Sequence, residues 1–361
     1  MYDKFGPEKI IQVYDPNTGI RGFAVIDNTA LGPGKGGMRL VPDVTIEEVF
    51  RLARAMTWKN ALAELPFGGA KSGIAADPKK VNKQEVLKWF GKALKNVLIK
   101  EYIAGPDMNT TEAEMAAFCE GAGDLKAATG KPTALGGLPH ELGSTGFGVA
   151  EATDVAVIFA RKNMKDMKVA IEGFGNVGTF TARFLSQKGA KIVAVSDSKG
   201  TIYNEKGLDA EELITVKSEK GTVIEYPDGK KLSAAELFSL PVDILIPGAR
   251  PDVINDSNKD SIKAKIIVEA ANIPMKEDVE EELYKKGILV IPDFVANAGG
   301  VISSYVEHIG GTQEKMFDEV RTRILKNTRA VLELSKKEKI SPRKAAMKIA
   351  QERVKKAMEN R

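Results

Sequence analysis

The chain has 361 residues, of which 43% are hydrophobic, and this length favours two domains that each bury a core of their own. The net charge of +4 is small and the charged residues are interspersed, which argues against nucleic acid or a membrane surface and favours a small-molecule partner. A single cysteine, Cys119, and two histidines far apart in sequence, His140 and His308, exclude an internal disulfide framework and a structural zinc site, so no metal is expected.

The first predicted elements, over residues 20–145, alternate apolar strand-like runs with helical patterns. The clearest helix follows Thr45, which has the spacing of a capping box with Glu48, and apolar residues then recur with a helical period. Glycine is dense just before and just after this helix, where it allows the backbone to turn sharply or to approach another group closely. The polar amino terminus and the lack of an apolar run of roughly 18 residues predict a cytoplasmic protein.

Lysines in this first region have unusual surroundings: Lys35 in GPGKGGMR, Lys59 in MTWKNA and Lys71 in PFGGAKSG. Asp107 follows in AGPDMNTT. Taken singly, each lysine is better explained by a solvated face or by a long stem lying on apolar surface than by a functional role. A Walker-type phosphate loop is excluded at Lys71, because Ala70 precedes the lysine and Glu64 stands near the place of the required first glycine.

A helix is predicted over 145–165, and beyond it short β-branched runs alternate with helical stretches up to residue 300. The strand candidates are apolar throughout, as parallel strands covered on both faces are: KVAIE, KIVAV, VDILIP, KIIVEA and ILVIPDF. Repeated β-α-β units indicate a doubly wound sheet. The polar stretch 201–240 is interpreted as a hairpin or loop insertion. The last 50 residues are predicted to form charged helices that pack on the first domain or bridge the two.

The strongest local signal opens this second region. Strand 168–172 leads into Gly173, Gly175 and Gly178, a helix follows, and a second strand delivers Asp197 about 20 residues after the motif. The glycines allow a tight turn, close approach of a pyrophosphate and close helix–strand packing, while the helix start offers free N–H groups. A lone GxGxxG is weak, but these parts in this order predict a dinucleotide site in which Asp197 accepts hydrogen bonds from the adenosine ribose.

Taken together, the motifs resemble the glutamate/leucine/phenylalanine/valine dehydrogenase family over roughly residues 9–355. The resemblance is carried by KGGMR, MTWKNA, LPFGGAKSG, GPDMNT, STGFG, GFGNVG, VEAANIP and IPDFVANAGGV. It implies an α/β protein of two domains. One is an N-terminal α/β substrate and oligomerisation domain over 1–145, joined by the helices of 320–361. The other is a Rossmann-type doubly wound NAD(P)-binding domain over 146–319.

The resemblance also implies roles for individual residues. Lys71 would be the catalytic lysine, held unprotonated as a base, and Asp107 would relay protons beside it. Lys59 would pair with the substrate α-carboxylate, and Lys35 and Ser304 with the side-chain carboxylate of glutamate. Besides the glycines and Asp197, the cofactor-contacting positions would be Thr145, Asn176, Val177, Ser198, Asn272 and Asn297. These roles are physically consistent, because a lysine acts as a base near neutral pH only where burial and neighbouring cations lower its pKa.

The implied reaction is oxidative deamination of L-glutamate to 2-oxoglutarate and ammonia with NAD(P), and its reverse. A branched-chain or aromatic (leucine-type) dehydrogenase of the same family remains the alternative. The chain length and IDNTALGP resemble the leucine branch, SSYVEHIGG lacks the tryptophan usual after the glutamate, and Ala70 and Ser72 stand where glycines are common. A non-catalytic dinucleotide-binding protein is disfavoured, because such a protein is expected to have lost Lys71 or Asp107.

The cofactor and the assembly are predicted less sharply. Asp197 favours NAD over NADP by repelling a 2′-phosphate, although Ser198 and Lys199 follow at once and could bind that phosphate. The resemblance implies a homo-oligomer, with a hexamer favoured over an octamer.

Overall fold

The computed structural model describes residues 2–139, 142–165 and 167–361, so His140 lies outside the described residues. The chain forms two compact α/β units. The first comprises Met1–Leu142, Val301–Met316 and Met347–Arg361, and the second Gly143–Gly300 and Phe317–Ala346.

This division differs from the predicted one in the carboxyl-terminal part of the chain. The sequence predicts 146–319 in the second domain and 320–361 in the first, whereas 301–316 belongs to the first unit and 317–346 to the second. Phe317, for example, packs edge-on against Phe147 of the second unit, with ring centroids 5.0 Å apart. The sequence of a charged amphipathic helix shows which face is apolar but not which core that face covers, so it carried no signal for this exchange.

A mixed sheet forms the centre of the first unit. Its strands are β1 (Lys9–Tyr14), β2 (Arg21–Asn28), β3 (Gly34–Lys35), β4 (Met38–Leu40), β5 (Gly68–Ala75) and β6 (Tyr102–Ile103). The order is β1-β2-β5-β3-β6, with β4 also paired to β5. The pairs β1–β2 and β2–β5 are antiparallel, and β3, β4 and β6 pair in parallel. The helices of this sheet are α1 (Ile46–Leu62), α2 (Lys83–Ala93) and α3 (Glu112–Ala122).

Strand β2 shows why this sheet lies between helices. Val25 belongs to a buried cluster with Val49 of α1, while the next residue, Ile26, belongs to the core that includes Phe90 of α2 and Phe118 of α3. Successive residues of a strand point to opposite faces, so an apolar run such as FAVI requires cover on both sides.

The helix predicted after Thr45 is present as α1, but its capping box is only half formed. Thr45 Oγ1 accepts a hydrogen bond from Glu48 N at 3.2 Å, whereas the Glu48 carboxylate pairs with Arg39 of β4. A complete capping box occurs at Thr111 and Glu114, at the start of α3. The ion pair with Arg39 competes for the Glu48 carboxylate, and local spacing gives no warning of it.

The second unit contains a largely parallel sheet. Its strands are β7 (Lys168–Glu172), β8 (Lys191–Asp197), β9 (Gly200–Tyr203), β10 (Lys230–Leu232), β11 (Ile244–Pro247), β12 (Ile266–Val268) and β13 (Leu289–Ile291). The order is β10-β9-β8-β7-β11-β12-β13. Strands β8, β7, β11, β12 and β13 are neighbours in this order and pair in parallel, as their uniformly apolar sequences predict. Strands β9 and β10 pair antiparallel with each other, and β9 also pairs antiparallel with β8.

The remaining helices are α4 (Ser144–Phe159), α5 (Asn176–Gln187), α6 (Ala210–Lys220), α7 (Glu277–Lys285), α8 (Asp293–Ala296), α9 (Gly299–His308), α10 (Gln313–Glu338) and α11 (Pro342–Glu359). The stretch 201–240 does contain the predicted hairpin, as the pair β9–β10, but α6 lies within it. Asp209 caps this helix by accepting a hydrogen bond from Glu212 N at 2.8 Å. The sequence did not reveal α6, because Ala210 and Leu213 are its only buried residues in the described chain.

Candidate active site

Lys71 lies on the face of β5 that packs against α1. It pairs across the sheet with Val25, and directly paired residues place their side chains on the same face. The glycine on the same face at position 69 has no room for a side chain, because a Cβ there would lie 2.0 Å from Thr57 Oγ1 of α1. The glycine-rich motif therefore lets a helix sit directly on the strand, and it leaves Lys71 buried with only 7% of its surface exposed.

The loop that carries Asp107 is fixed to β4 by hydrogen bonds. Thr110 Oγ1 accepts from Asp107 N at 2.9 Å and donates to the carbonyl of Met38 at 2.8 Å. Asn109 adopts a positive φ of 62° and donates from Nδ2 to the carbonyl of Leu40 at 3.0 Å. The GPDMNT motif is thus a turn that ties itself to the neighbouring strand and presents the Asp107 carboxylate.

Lys71 and Asp107 meet in an ion pair that Arg39 shares. Lys71 Nζ lies 2.9 Å from Asp107 Oδ2, and the same oxygen accepts from Arg39 Nε at 3.0 Å and lies 2.9 Å from Arg39 Nη2. Burial would raise the pKa of the Asp107 carboxyl, but Lys71 and Arg39 outweigh it and hold the pKa below its usual value. Asp107 is therefore ionised, with two cations on one of its oxygens.

The pKa of the Lys71 ammonium moves in the opposite sense to what an ion pair alone would cause. Burial lowers this pKa, Asp107 opposes the change, and Arg39 adds to it. The two partners respond differently because burial of the Lys71 ammonium outweighs its attraction to Asp107, whereas the two cations beside Asp107 outweigh the burial of its carboxyl. The arrangement favours an amine that gives up its proton more easily than an ordinary lysine.

Gly37 leaves the space in which this pair forms. A Cβ at Gly37 would lie 2.9 Å from Asp107 Cβ and 3.2 Å from Lys71 Nζ. The next residue but one, Arg39, is the shared cation. The KGGMR motif therefore contributes both the room for the pair and a charge that tunes it.

Lys35, which ends β3, is almost completely buried, with 3% of its surface exposed. Its Nζ donates to the carbonyl of Ala104 at 2.8 Å. Burial lowers the pKa of this lysine to about 7; Glu307 opposes the change, while Lys71 and Lys131 reinforce it. A buried ammonium with this little compensation favours the arrival of an anion.

Lys59 and Ser304, the other predicted substrate contacts, also belong to the first unit. Lys59 is half-buried in the last turn of α1. The adjacent Asn60 donates from Nδ2 to the carbonyl of Gly68 at 2.7 Å and to that of Lys35 at 3.3 Å, which ties this turn to the strands. Ser304 is half-buried on α9. The substrate residues predicted from the sequence thus fall within one unit.

The three glycines of the dinucleotide motif have three different surroundings. A Cβ on Gly173, whose φ is +91°, would lie 2.8 Å from Ala249 atoms, and a Cβ on Gly178 would lie 1.9 Å from the Gly173 carbonyl oxygen. Gly175 has no atom within 4 Å of its Cβ position. The outer glycines serve the turn and the helix packing, and the middle one leaves open space at the start of α5, where Asn176 is exposed and Val177 half-buried. This arrangement fits a dinucleotide pyrophosphate.

Asp197 does not have the free carboxylate that the sequence suggested. Its Oδ2 pairs with Lys217 Nζ at 2.7 Å and accepts from Val223 N at 2.9 Å, and its Oδ1 accepts from Lys199 N at 2.9 Å and Thr222 Oγ1 at 3.2 Å. Its side chain is only 5% exposed. Burial would raise the pKa of this carboxyl, but Lys217 and the other donors hold it below its usual value. The charge is retained but paired, and the neighbouring Ser198 is exposed.

Three predicted cofactor contacts of the second unit lie near one another: Asn297, Asn272 and Thr145. Asn297 Nδ2 donates to Asn272 Oδ1 at 3.0 Å and to the carbonyl of Ala270 at 3.2 Å. The glycines that follow Asn297 pack on the start of α4, where a Cβ on Gly300 would lie 3.0 Å from Thr145 Oγ1. The VEAANIP, NAGG and STGFG motifs, far apart in sequence, therefore form one local structure.

Sequence reasoning missed Arg39, Lys131 and Glu307. Arg39 lies in a motif that was recognised, so its charge was a usable signal. Lys131 Nζ pairs with Glu307 Oε1 at 2.6 Å, and these two residues are 176 positions apart, with no local pattern to connect them. Within the described residues no group of three His, Cys, Asp or Glu side chains is placed to hold a metal ion. No helix there is long and apolar enough to cross a membrane.

Comparison with known proteins gives a consistent result. The model of the Glu/Leu/Phe/Val dehydrogenase dimerisation domain matches residues 7–122, and that of the Glutamate/Leucine/Phenylalanine/Valine dehydrogenase domain matches residues 136–361. The glutamate dehydrogenase of Aeropyrum pernix is 45% identical over 354 residues, which cover 92% of this chain and 85% of that protein. The NADP-specific glutamate dehydrogenase of Saccharolobus shibatae is 43% identical over 320 residues, covering 83% and 75%.

A solved structure supports the same fold. The hetero-hexameric glutamate dehydrogenase of Thermus thermophilus, in a leucine-bound form, matches with a TM-score of 0.85 at 29% identity. The match covers 97% of this chain and 89% of that chain. The predicted α/β fold of two domains is confirmed.

Proposed function

The chain belongs to the glutamate/leucine/phenylalanine/valine dehydrogenase family, as its motifs predicted, and on this premise we propose that its substrate is glutamate. It is an amino-acid dehydrogenase, an oxidoreductase that uses a nicotinamide dinucleotide. The proposed reaction is oxidative deamination of L-glutamate to 2-oxoglutarate and ammonia, and the reverse reductive amination. The observation that carries the proposal is the buried Lys35, and the names of the relatives above support it.

Lys35 favours a dicarboxylic amino acid over a branched-chain one. A side-chain carboxylate loses its hydration in a buried pocket and needs a cation and a hydroxyl donor in exchange, which Lys35 and Ser304 supply. A leucine side chain would leave the buried Lys35 without a counter-charge, at a cost of roughly 1–3 kcal/mol or more. The leucine-type alternative requires an apolar side chain at position 35.

Lys71 and Asp107 act on the reacting carbon in this proposal. Bound NAD(P) supplies the chemistry of hydride acceptance from the amino-acid Cα. Lys59 holds the α-carboxylate, and water then attacks the substrate iminium while its proton passes to the neutral amine of Lys71. Asp107 takes part in moving that proton, and collapse of the carbinolamine releases ammonia and the 2-oxo acid. The lowered pKa of Lys71 supports the role of base.

The substrate assignment is tested with a panel of 2-oxo acids and ammonia, following oxidation of the reduced coenzyme. The parent should prefer 2-oxoglutarate to 4-methyl-2-oxopentanoate. The double variant Lys35→Leu with Ser304→Val should lose most 2-oxoglutarate amination, by about 100-fold or more in kcat/KM. The control Lys88→Leu, which removes an exposed lysine paired with Glu120, should change neither rate. A parent that already prefers 4-methyl-2-oxopentanoate would make the enzyme leucine-type.

For the coenzyme, we propose that NADP is accepted at least as well as NAD, in place of the lean to NAD drawn from the sequence. Repulsion of a 2′-phosphate requires an exposed negative charge, and that of Asp197 is covered and paired with Lys217. Ser198 and Lys199 are exposed beside it and offer donors to the phosphate. The NADP-specific relative supports this proposal.

Steady-state kcat/KM for the two coenzymes tests it. Replacing Lys217 by Met should release the Asp197 charge and reduce the ratio of NADP to NAD efficiency by about tenfold, the size of one close charge interaction. Lys220→Met, on the exposed end of the same helix, is the matched control and should leave the ratio unchanged. A parent that favours NAD by 100-fold would show that Asp197 acts as the sequence suggested.

We also propose a homo-hexamer. The described Thermus thermophilus relative is hetero-hexameric, and the first family model is named a dimerisation domain. Sedimentation of the purified protein at micromolar concentration should give six times the chain mass. An octamer would instead align it with the leucine branch.

A further inference from the structure

Glu307 and Lys131 form an ion pair in which both side chains are buried: that of Glu307 is 2% exposed and that of Lys131 is 7% exposed. Besides Lys131, the Glu307 carboxylate accepts the N–H groups of Gly130 at 2.9 Å and Leu138 at 3.1 Å. Lys131 Nζ also donates to the carbonyl of Ala128 at 2.8 Å. Both charges are therefore fixed in place by backbone groups of one loop.

The loop that holds this pair also reaches the hydrogen-bond partner of Lys35. The carbonyl oxygen of Ala104 accepts from Lys35 Nζ at 2.8 Å and from Thr129 N at 3.0 Å. Thr129 immediately precedes Gly130, whose N–H is bound to Glu307. A short path of buried backbone thus separates the pair from Lys35, and charges are weakly screened at such places.

The charges that face Lys35 come from separate elements of the first unit. Lys71 on β5 and Lys131 in the loop lower the pKa of Lys35, and Glu307 on α9 raises it, in addition to the larger effect of burial. His308, also on α9, lies near Lys35, Lys126 and Lys131; burial and then Lys35 lower the pKa of its imidazole, so it adds no charge at neutral pH. Glu307 is the anion that favours an ammonium at position 35.

We propose that Glu307 and Lys131 are specificity-determining residues that act through Lys35, Glu307 favouring and Lys131 opposing its ammonium form, so that binding of a dicarboxylate substrate brings a proton into the site. This inference rests on the proposed role of Lys35 in holding the distal carboxylate. A neutral Lys35 costs less to bury in the free enzyme, and the arriving carboxylate provides the counter-charge for the proton.

A purely structural role of the pair makes a different prediction. If the pair only ties the loop to α9, then removing either partner loosens the same contact and shifts substrate preference in the same direction. If it acts by charge, the two removals shift Lys35 in opposite directions. Loss of Glu307 lowers its pKa, and loss of Lys131 raises it.

The variants are Glu307→Gln and Lys131→Gln, assayed by the ratio of kcat/KM for 2-oxoglutarate to that for 4-methyl-2-oxopentanoate between pH 6 and 9. Effects on Lys71 cancel in this ratio, since both substrates need it. In the parent the ratio should fall as the pH rises through about 7. The midpoint should move to lower pH in Glu307→Gln and to higher pH in Lys131→Gln, each by about one pH unit. Midpoints that move together would overturn the proposal.

A measurement on the parent does not depend on the folding of these variants. Binding of glutarate, an unreactive dicarboxylate, is followed by calorimetry in buffers of different ionisation enthalpy. At pH 8 the enzyme should take up close to one proton, and at pH 6 far less; butanoate, with one carboxylate, should cause no uptake. Glutarate binding without uptake at pH 8 would overturn the inference. The variant Lys35→Met tests the proposed substrate role of Lys35 apart from the effect of Glu307 and Lys131 on it. A Lys35→Met enzyme that still prefers 2-oxoglutarate would overturn that substrate role itself.

Discussion

Each unit contains one buried cluster of charged side chains, and the two clusters have opposite excesses of charge. In the first, buried lysines gather around fewer carboxylates, and Lys71 and Lys35 both have lowered pKa values because burial disfavours their ammonium forms. Asp107 carries the counter-charge of Lys71, while Lys35 has only a carbonyl oxygen at hydrogen-bond distance among the described residues. Among the described residues, no carboxylate lies at hydrogen-bond distance from Lys35 Nζ.

In the second unit, carboxylates gather around one arginine. Arg343 Nη2 lies 2.8 Å from Glu269 Oε2 and 3.0 Å from Asp293 Oδ1, and Arg343 also pairs with Glu280. One oxygen each of Glu269 and Glu280 is buried with no hydrogen-bond partner in the described chain. Burial raises the pKa of both glutamates, and neighbouring carboxylates add to the effect.

The difference teaches how an excess of buried charge is resolved. The carboxylate cluster can relieve its excess by retaining a proton, and its hydrogen bonds run to backbone, as from Asp293 N to Glu269 Oε2 at 2.8 Å. The lysine cluster can relieve its excess by losing protons or by binding an anionic substrate. The lysine cluster should therefore matter to activity more than to folding, and the carboxylate cluster to folding more than to activity.

The largest expected effect is the loss of turnover in Lys71→Ala. Removing a positioned base should reduce kcat by about 10²–10⁴-fold, while coenzyme affinity and thermal stability stay near those of the parent. Turnover is measured together with coenzyme binding by fluorescence titration. Activity within tenfold of the parent would remove Lys71 from the mechanism.

Arg343→Met should have the opposite signature. Removing the cation leaves buried carboxylates uncompensated, which should cost about 3–5 kcal/mol of unfolding free energy. The matched control is Arg183→Met in the same unit, whose partly exposed pair with Glu211 is worth about 0–1 kcal/mol. Denaturant unfolding measures both. If Arg343→Met kept its stability but lost activity, the contrast between the clusters would be wrong.

Asp107→Asn should reduce turnover less than Lys71→Ala, by about 10²-fold, because the amide keeps the shape but not the charge. The pKa of Lys71 should fall further in this variant, because the Asp107 carboxylate of the parent raises that pKa. The acid limb of the deamination pH profile should then move to lower pH, as the free amine persists there. A limb that stays in place would mean that another group sets it.

The parts predicted from the sequence were those with local signals. The strand before Gly173, the helix after it and the lysine motifs are each indicated by a pattern within about 20 consecutive residues. Arg39 was overlooked within a recognised motif, and the Glu307–Lys131 pair joins distant segments. Asp197 was identified by its position, but its partner Lys217 lies in α6, within a stretch predicted as a hairpin or loop. The position of a residue in a motif predicts its place in the site, whereas the charge that the residue can present to a ligand depends on its contacts in the fold.

The smallest expected effect concerns Glu280, whose pKa is raised to about 7, chiefly by burial, with Arg343 opposing the shift. The unfolded carboxyl titrates near 4.5, so the folded protein binds the proton more tightly and loses stability as the pH rises from about 4.5 to 7; above that the cost is constant. Glu280→Gln cannot ionise, and its amide oxygen can still accept from Arg343. It should therefore be close to the parent at pH 4 and exceed it at pH 8 by about 1–3 kcal/mol. Denaturant unfolding at the two pH values measures this gain, and an equal loss at both would mean that Glu280 is ionised throughout and that its cluster does not hold the proton.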